Sequence, residues 1–284
     1  MLDAERYVGF LLAALPQIAA RRIYPRHWPL PLRRYAVLDR ALREFRAQPG
    51  IGLEFGVWRG RSLRHMARRC PARQFYGFDS FEGLPADGRP DWQIAFALDR
   101  PPSVPRNCRL VAGWFADTIP VFLAENHEPI GLVAIDCDVY SSARTVLFGL
   151  GDRLRPGTVL YFDELINYDT FLWNEMRALF EFLDATGLGV QWLAAHARVR
   201  GLEEVLLLSD RASYPAWEVD VAAGHQRPAA AILTARGGAV AAADTARIAA
   251  LAAQFERLTA RYEAMRQASS AAGDAATGGL RHNP

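Results

Sequence analysis

Two glycines and two carboxylates early in the chain have the spacing of a nucleoside-binding site. Glu54 precedes Gly56 and Gly60 in a turn after a short apolar strand, and Asp79 ends the next apolar strand. Glycines let the backbone turn sharply and approach a ligand closely. A carboxylate that closes the second strand of a βαβ unit accepts hydrogen bonds from ribose hydroxyls. Ser62 lies at the start of the intervening helix, whose free N–H groups point toward the ligand.

The acid before this turn favours one nucleoside cofactor over another. A dinucleotide fingerprint has three glycines in the pattern G-x-G-x-x-G, whereas this turn has only Gly56 and Gly60 and follows Glu54. A carboxylate at that position repels a diphosphate and suits a cationic group, such as the amino group of a methionine moiety. The pattern favours S-adenosylmethionine over NAD, with a turn that serves only packing as the alternative.

A second group of carboxylates follows two later apolar strands. Asp136 and Asp138 follow one of these strands, and Asp163 and Glu164 follow the next. Because the carboxyl ends of parallel strands meet at one edge of a sheet, we expect these acids to lie where ligands bind. Asp136, Asp163 and Glu164 are candidate oxygen ligands for Mg²⁺. Acids at strand ends also cap helices or hold cofactor amines, so this alternative stays open.

The remaining candidate cofactor residues follow the second and third strands. Ser80 comes directly after Asp79, and Gly113 and Trp114 come after the strand predicted at 108–111. Gly113 permits close approach of the backbone to a base, and Trp114 offers a ring for stacking on adenine. A purely structural role for Trp114 in the core is the alternative.

The composition describes a globular α/β chain with one main domain. Its 284 residues are 51% hydrophobic and 23% charged, with a net charge of +2, which supports a full core and argues against nucleic-acid binding. The sequence contains no lysine, so a P-loop lysine and Schiff-base chemistry are excluded. Cys70, Cys108 and Cys137 form no C-x-x-C pair, which suggests reduced thiols and a cytoplasmic location. The apolar run at 8–20 is too short for a transmembrane segment.

The predicted elements alternate strand and helix five times and end in an antiparallel hairpin. We expect the hairpin strands at 190–194 and 205–209, joined by a tight turn at Arg200 and Gly201. Apolar residues in 248–265 recur in steps of three and four, which fits a dimeric coiled coil or a helix packed on its own domain. The predicted divisions are a helical lead-in at 1–49, the main domain at 50–209, a connector and amphipathic helix at 210–268, and a disordered tail at 269–284.

Five sequence motifs lie in order within the main domain. They are E-F-G-V-W-R-G-R-S at 54–62, Y-G-F-D-S-F-E-G-L-P at 76–85, V-A-G-W-F-A-D-T at 111–118, I-D-C-D-V-Y-S-S at 135–142 and F-D-E-L-I-N-Y at 162–168. Together they resemble the macrocin O-methyltransferase family of class I S-adenosylmethionine enzymes. The resemblance implies an α/β, Rossmann-like fold with a seven-stranded, mostly parallel sheet and helices on both faces. An N-terminal helical lead-in and a C-terminal helical extension would flank this fold.

The resemblance also implies a reaction and its residues. It implies Mg²⁺-assisted methylation of a hydroxyl on a small molecule, often a sugar, with Asp136 and Asp138 as catalytic candidates. The general base is left open: His65, His127 and His196 are available, although a lone histidine is more often structural, and Asp138 or Glu164 is as plausible. This chain has Glu164 where metal-dependent relatives tend to carry a second aspartate. The cofactor contacts implied are Glu54, Gly56, Ser62, Asp79, Trp114 and Asp136.

Two other function classes remain open at this point. A nicotinamide-dependent oxidoreductase would use a similar sheet, although the third glycine is missing. A non-catalytic interaction protein would keep the fold and act through its terminal helices. A homodimer through the C-terminal or N-terminal helices is a further expectation.

Overall fold

The protein is described by a computed structural model over residues 2–23, 35–85, 96–168, 170–196, 199–211, 228–235 and 245–278. Short 3-10 turns at Gly151–Arg153 and Phe171–Trp173 interrupt the regular elements. In chain order the elements are α1 (Ala4–Ala20), β1 (Arg22–Ile23), α2 (Ala36–Phe45), β2 (Ile51–Phe55), α3 (Arg61–Arg69), β3 (Phe75–Asp79), β4 (Cys108–Ala112), α4 (Phe115–Glu125), β5 (Ile130–Ile135), α5 (Tyr140–Leu150), β6 (Val159–Phe162), α6 (Glu175–Thr186), β7 (Gly189–His196), α7 (Leu202–Arg211), β8 (Ala229–Thr234) and α8 (Thr245–Gly278).

The strands form one mixed sheet in the order β1-β7-β8-β6-β5-β2-β3-β4. Strand β8 runs antiparallel to β6 and β7, and the other neighbouring pairs are parallel. The described sheet has eight strands rather than the predicted seven, because the two-residue β1 pairs with the edge of β7. The strand order reverses between β2 and β5, and in such sheets ligands bind beside the reversal at the carboxyl ends.

The predicted C-terminal hairpin is wrong. Residues 202–211 form α7, in which Leu202, Val205 and Leu206 are buried at helical spacing. The antiparallel partner of β7 is β8, which lies beyond the predicted domain boundary at 209. The sheet therefore includes part of the segment predicted as a connector, and 212–227 and 236–244 of that segment lie outside the described residues.

Helices cover both faces of the sheet, so the central strands are buried throughout. Every residue of β2 and of β5 is buried, as expected for inner parallel strands. Helices α2 and α3 contribute to the core on one face. Helices α1, α4, α5 and α6 contribute to the core on the other face. The carboxyl ends of the strands are thus held by a rigid framework.

Helix α8 packs on its own chain, which agrees with one of the two alternatives for its apolar face. Trp173 stacks between Phe255 and Tyr262, with ring centroids 5.6 and 5.1 Å away. Its indole Nε1 donates to Thr259 Oγ1 at 2.8 Å. Tyr7 of α1 contacts the ring of Phe255 at 5.4 Å. Both terminal helices therefore pack against the turn that leads into α6.

The predicted disordered tail is wrong in its first part. Helix α8 continues to Gly278, so residues 269–278 are helical. The remaining tail residues, 279–284, lie outside the described part of the chain. Within the segment predicted as a helical lead-in, 1–49, helices are found at Ala4–Ala20 and Ala36–Phe45.

We expect Phe255→Ala to lower the free energy of unfolding by about 3–5 kcal/mol, the usual cost of truncating a buried phenylalanine. Its ring is 2% exposed and contacts Tyr7 and Trp173. Urea denaturation measures the change. The control is Leu207→Ala on α7, where the side chain is 48% exposed and the expected change is within about 0.5 kcal/mol. Equal losses in the two variants would contradict an anchoring role for Phe255.

Candidate active site

A cavity of about 590 Å³ opens at the carboxyl ends of β2, β3, β5 and β6. Its position is the one expected from the reversal of strand order. Glu54, Gly60 and Gly113 are predicted site residues that do not line it. The predicted residues that do line it are Gly56, Ser62, Asp79, Ser80, Trp114, Asp136, Asp138, Asp163 and Glu164.

The turn after β2 is in close backbone contact with both neighbouring strands. Gly56 has a φ of 93°, and its N–H donates to the Phe78 carbonyl at 3.0 Å. The N–H of Asp136 donates to the Phe55 carbonyl at 2.9 Å. A Cβ on Gly56 would lie 1.7 Å from the carbonyl oxygen of Asp136. Only glycine fits here, and its presence brings the acidic end of β5 beside the turn.

Asp79 fixes the glycine turn, a role that the sequence analysis did not predict. Its Oδ2 accepts hydrogen bonds from the N–H groups of Val57 and Trp58 at 2.8 and 2.6 Å. Its Oδ1 accepts from the N–H of Phe81 at 2.7 Å. Trp58 has a φ of 45°, which is strained for a bulky residue, and these bonds hold it there. Because each carboxylate oxygen has two lone pairs, Oδ1 keeps one free, so Asp79 can still accept from a ribose hydroxyl.

Glu54 lies beneath the cavity with 1% of its surface exposed. Burial raises the pKa of its carboxyl to about 8; a hydrogen bond from Ser62 opposes this shift, and the charges of Asp163 and Asp79 add to it. Its Oε2 has no hydrogen-bond partner among the described residues. A buried carboxyl with an unused acceptor under the glycine turn fits the amino group of a methionine moiety.

The residues expected near the base occupy the end of β4. Gly113 donates its N–H to the Asp79 carbonyl at 3.0 Å, which ties this end to β3. Trp114 lines the cavity and is 37% exposed, so the structure places it at the surface rather than in the core. Gly60 precedes α3 and faces Arg64 and Pro102 rather than the cavity.

The acids that follow β5 and β6 come together as predicted. Burial raises the pKa of Asp136 well above its usual value, and the charge of Asp163 is the next largest cause, followed by that of Asp138. The phenol of Tyr161 donates to Asp163 Oδ1. Asp138 has a φ of 62° and lies between the Cys137 carbonyl and the Val139 N–H, which are 2.7 Å apart across the turn. This tight, strained turn is typical of functional sites.

Glu175 also belongs to this acidic group, although it was not among the predicted site residues. It is the first residue of α6 and has 0% exposure. Burial raises its pKa well above the usual value, and the charges of Glu164, Asp138 and Asp163 raise it further, while the Cys137 N–H lowers it. Neither carboxylate oxygen has a partner with full hydrogen-bond geometry among the described residues. The sequence places it near the start of a helix, where a substrate could meet it, but an acid in the first turn of a helix is ordinary and does not mark a site.

Other residues that were not predicted also line the cavity. They include both polar and aromatic side chains near the glycine turn and the start of α5. The main ones are Arg59, Arg61, Phe96, Phe115, Ser141 and Thr145.

The site fits S-adenosylmethionine better than it fits a metal ion. Glu54, Asp79 and Trp114 offer partners for an amino group, a ribose and a base. The carboxylates of Asp136, Asp163 and Glu164 have the donor chemistry that suits Mg²⁺. Within the described residues, however, no group of three or more His, Cys, Asp or Glu side chains is arranged to hold a metal ion. The metal ligands therefore remain a prediction.

Residues 53–165 match a family described as a methyltransferase domain. The chain contains a methyltransferase domain. The matched segment includes Glu54, Asp79 and the acids from Asp136 to Glu164, and the alternation of strands and helices follows the class I layout. The chain is accordingly an S-adenosylmethionine-dependent methyltransferase, and neither the oxidoreductase nor the non-catalytic alternative is favoured.

Three solved structures that match the chain are described as methyltransferases. A calicheamicin methyltransferase is 24% identical, with a TM-score of 0.47, over 82% of this chain and 93% of that one. The O-methyltransferase NovP is 19% identical, with a TM-score of 0.45, over 64% of this chain and 91% of that one. An O-methyltransferase from Bacillus cereus is 16% identical, with a TM-score of 0.37, over 68% of this chain and 84% of that one.

Two further comparisons concern sequence and membranes. A search of curated proteins found no match to this methyltransferase. Among the described helices, none combines the length and the apolar character needed to cross a membrane.

Proposed function

We propose that this methyltransferase transfers the methyl group of S-adenosylmethionine to a hydroxyl of a small molecule, such as a sugar or another natural product. The observation that carries the proposal is the cavity at the strand reversal. Asp79 lines one side of it, and the buried Glu54, which is not part of the lining, is hydrogen-bonded to the lining residue Ser62. The other side has Asp136 and Asp138, placed to meet an acceptor.

The cofactor lies across the carboxyl ends of β2 to β5 in this proposal. Glu54 and Ser62 hold the amino group of the methionine moiety, while Gly56 and Gly60 shape the turn around it. Asp79 and Ser80 bind the ribose. Trp114 faces the base, Gly113 shapes the backbone just before it, and Asp136 closes the site from β5; Trp114 and Asp136 line the cavity.

The chain's own groups contribute orientation and a proton acceptor. As the hydroxyl oxygen attacks the methyl carbon, the C–O bond forms and the C–S bond breaks, which leaves S-adenosylhomocysteine. The hydroxyl proton moves to the carboxylate of Asp138, which lines the cavity. Most of the acceleration comes from holding donor and acceptor in line at short distance. Mg²⁺ bound by Asp136, Asp163 and Glu164 is a further part of the proposal and would lower the pKa of the hydroxyl.

Calorimetric titration with S-adenosylhomocysteine, with and without Mg²⁺, tests the proposal. We expect binding in the micromolar range. An absence of binding in both conditions would contradict the proposed cofactor site. Turnover that is unchanged by chelation would contradict the metal ligands but leave the methyl transfer standing.

We expect S-adenosylhomocysteine binding to release a proton near pH 7, because Glu54 has a pKa of about 8 in the free protein. An ammonium group beside Glu54 favours its ionised form and lowers this pKa. Titrations in buffers with different ionisation enthalpies measure the released proton. Glu54→Gln should abolish the release, whereas Glu125→Gln, an exposed change on α4, should not. Binding heats that are independent of the buffer would contradict the role of Glu54.

The raised pKa of Glu54 also predicts how the stability of the folded protein depends on pH. The folded pKa of Glu54 is about 8, above the usual value of 4.5, so the folded state binds a proton more tightly than the unfolded state does. Its contribution to stability is therefore lost as pH rises from about 4.5 to about 8. Glu54→Gln should flatten the pH dependence of stability over that window in thermal denaturation.

We also propose a cytoplasmic location and a homodimer. The three free, buried cysteines support the location. A dimer through α1 or α8 would have to use their exposed faces, because the apolar face of α8 is covered by its own chain. Light scattering tests the dimer, and a monomeric mass would contradict it.

A further inference from the structure

A smaller cavity of about 220 Å³ lies at the amino ends of β5 and β6. It is bounded there by Ile130 and Gly131, which begin β5, and by Thr158, which directly precedes β6. The candidate active site lies at the carboxyl ends of the same strands. The two cavities are therefore on opposite edges of the sheet, and the smaller one has no part in the proposed methyl transfer.

The described lining of this smaller cavity is basic. Arg153, Arg155 and His127 line it, and none of its described lining residues is an Asp or a Glu. Gln48 adds a side-chain amide with N–H donors. A guanidinium group is always charged and presents its N–H donors in a fork that matches a carboxylate or a phosphate. The cavity therefore has the charge and the donors to bind an anion.

Backbone hydrogen bonds hold both guanidinium groups in place. Arg153 donates from Nη1 to the Asn126 carbonyl at 2.9 Å and from Nη2 to the Glu128 carbonyl at 2.7 Å. Arg155 donates from Nε to the Asp152 carbonyl at 3.2 Å. Among the described residues, the partners of both groups are thus carbonyls rather than carboxylates. Because a guanidinium has five N–H groups, most of the donors on each arginine stay available for a ligand.

The turn that carries Arg155 is fixed to the sheet. The N–H of Thr158 donates to the Arg155 carbonyl at 2.9 Å, and its Oγ1 accepts from the Arg155 N–H at 3.3 Å. The same hydroxyl donates to the Ile130 carbonyl at 2.9 Å. Gly157, with a φ of 98°, donates its N–H to the Leu233 carbonyl at 2.8 Å. The basic lining is therefore preorganised, which lowers the cost of binding an anion.

We propose that this smaller cavity binds a small oxyanion of the phosphate type, at a site separate from the methyl transfer. Its volume is below the roughly 300–1,000 Å³ of pockets for drug-sized ligands, so it suits a single phosphate group. Arg153 and Arg155 provide charge-assisted hydrogen bonds, and Gln48 provides a neutral donor. Free phosphate and a phosphate monoester share this chemistry. The inference does not depend on the proposed function.

Calorimetric titrations with inorganic phosphate and with glycerol 3-phosphate, at constant ionic strength, test the site. We expect saturable binding with a Kd below about 10 mM, unchanged by saturating S-adenosylhomocysteine. Tighter binding of inorganic phosphate would support the free ion as the occupant, and tighter binding of glycerol 3-phosphate would support a monoester. An absence of saturable binding by both probes would overturn the proposal. Competition with S-adenosylhomocysteine would also overturn it, because the anion would then occupy the larger cavity.

Variants assign the anion to the arginines. Arg155 is exposed, and Arg155→Gln should weaken phosphate binding at least about tenfold, as expected for the loss of hydrogen bonds to a charged group. Arg257→Gln removes an exposed arginine of α8 and should bind phosphate like wild type. Phosphate should also raise the thermal midpoint of wild type but not that of Arg155→Gln. An unchanged affinity in Arg155→Gln, or an equal loss in Arg257→Gln, would overturn the assignment.

Discussion

Gly56→Ala is expected to abolish binding of S-adenosylhomocysteine and to lower the free energy of unfolding by more than about 4 kcal/mol. The added Cβ would lie 1.7 Å from the carbonyl oxygen of Asp136 and 2.6 Å from its carbonyl carbon. Both atoms belong to backbone that is tied to Phe55 by a hydrogen bond, so neither can move without separating β2 from β5. The φ of 93° adds strain for any residue with a Cβ. Urea denaturation and calorimetry measure the two effects.

Gly187→Ala separates the steric overlap from the backbone strain. Gly187 ends α6 with a φ of 70°, and a Cβ there would meet nothing within 4 Å. This variant should therefore lose only about 1–2 kcal/mol from the left-handed conformation and should keep its affinity for S-adenosylhomocysteine. Similar losses in the two glycine variants would mean that the contact between the Gly56 turn and β5 yields more easily than the structure indicates.

The positions of the site residues along the fold could be predicted because they depend on local patterns. Gly56 and Asp79 each follow a short apolar strand, and so do Asp136 and Asp163. Once these strands are parallel, their carboxyl ends must lie at one edge. The family resemblance then supplied the expectation of a mostly parallel sheet with helices on both faces.

The C-terminal part of the fold could not be predicted in the same way. Leu202, Val205 and Leu206 fit a short apolar strand as well as one face of a helix, since a short run does not separate the two periods. The true last strand, β8, has the sequence AAAILT. Alanine favours helices, and only the pairing with β6 and β7 makes it a strand. The strand conformation of β8 is therefore set by its tertiary contacts and cannot be predicted from the segment's own sequence.

The hydrogen bonds within the site could not be predicted from the sequence either. Asp79 was predicted as a ribose acceptor, and the structure adds three backbone N–H groups that converge on it. Glu175 was not among the predicted site residues, because its burial depends on how the turn at Phe171–Trp173 packs against α1 and α8. The sequence pattern therefore predicts which residues lie at an edge of the sheet, whereas tertiary packing determines which groups they form hydrogen bonds with.

Asp79→Ala is expected to weaken binding of S-adenosylhomocysteine by about 1–3 kcal/mol, roughly five- to 150-fold. The change removes the acceptor of the N–H groups of Val57, Trp58 and Phe81. The bonds that hold Trp58 at a φ of 45° are among those lost, so the turn should relax away from the cofactor. The proposed contact with the ribose disappears at the same time. Calorimetric titration measures the change in affinity.

Two variants separate the loss of the turn from the loss of a charge. Asp79→Asn keeps one carbonyl oxygen but presents an NH₂ group to N–H donors on its other side, so it should also weaken binding. Asp117→Ala removes an exposed acid in the first turn of α4 that does not line the cavity, so affinity should stay within about twofold, as expected for an exposed charge. If Asp79→Ala binds S-adenosylhomocysteine as tightly as wild type, the carboxylate serves only the turn, and the ribose must be bound by other groups. Hydrogen exchange at Val57 and Trp58 then shows whether the turn itself opened, since those two amides lose their acceptor in Asp79→Ala and keep it in Asp117→Ala.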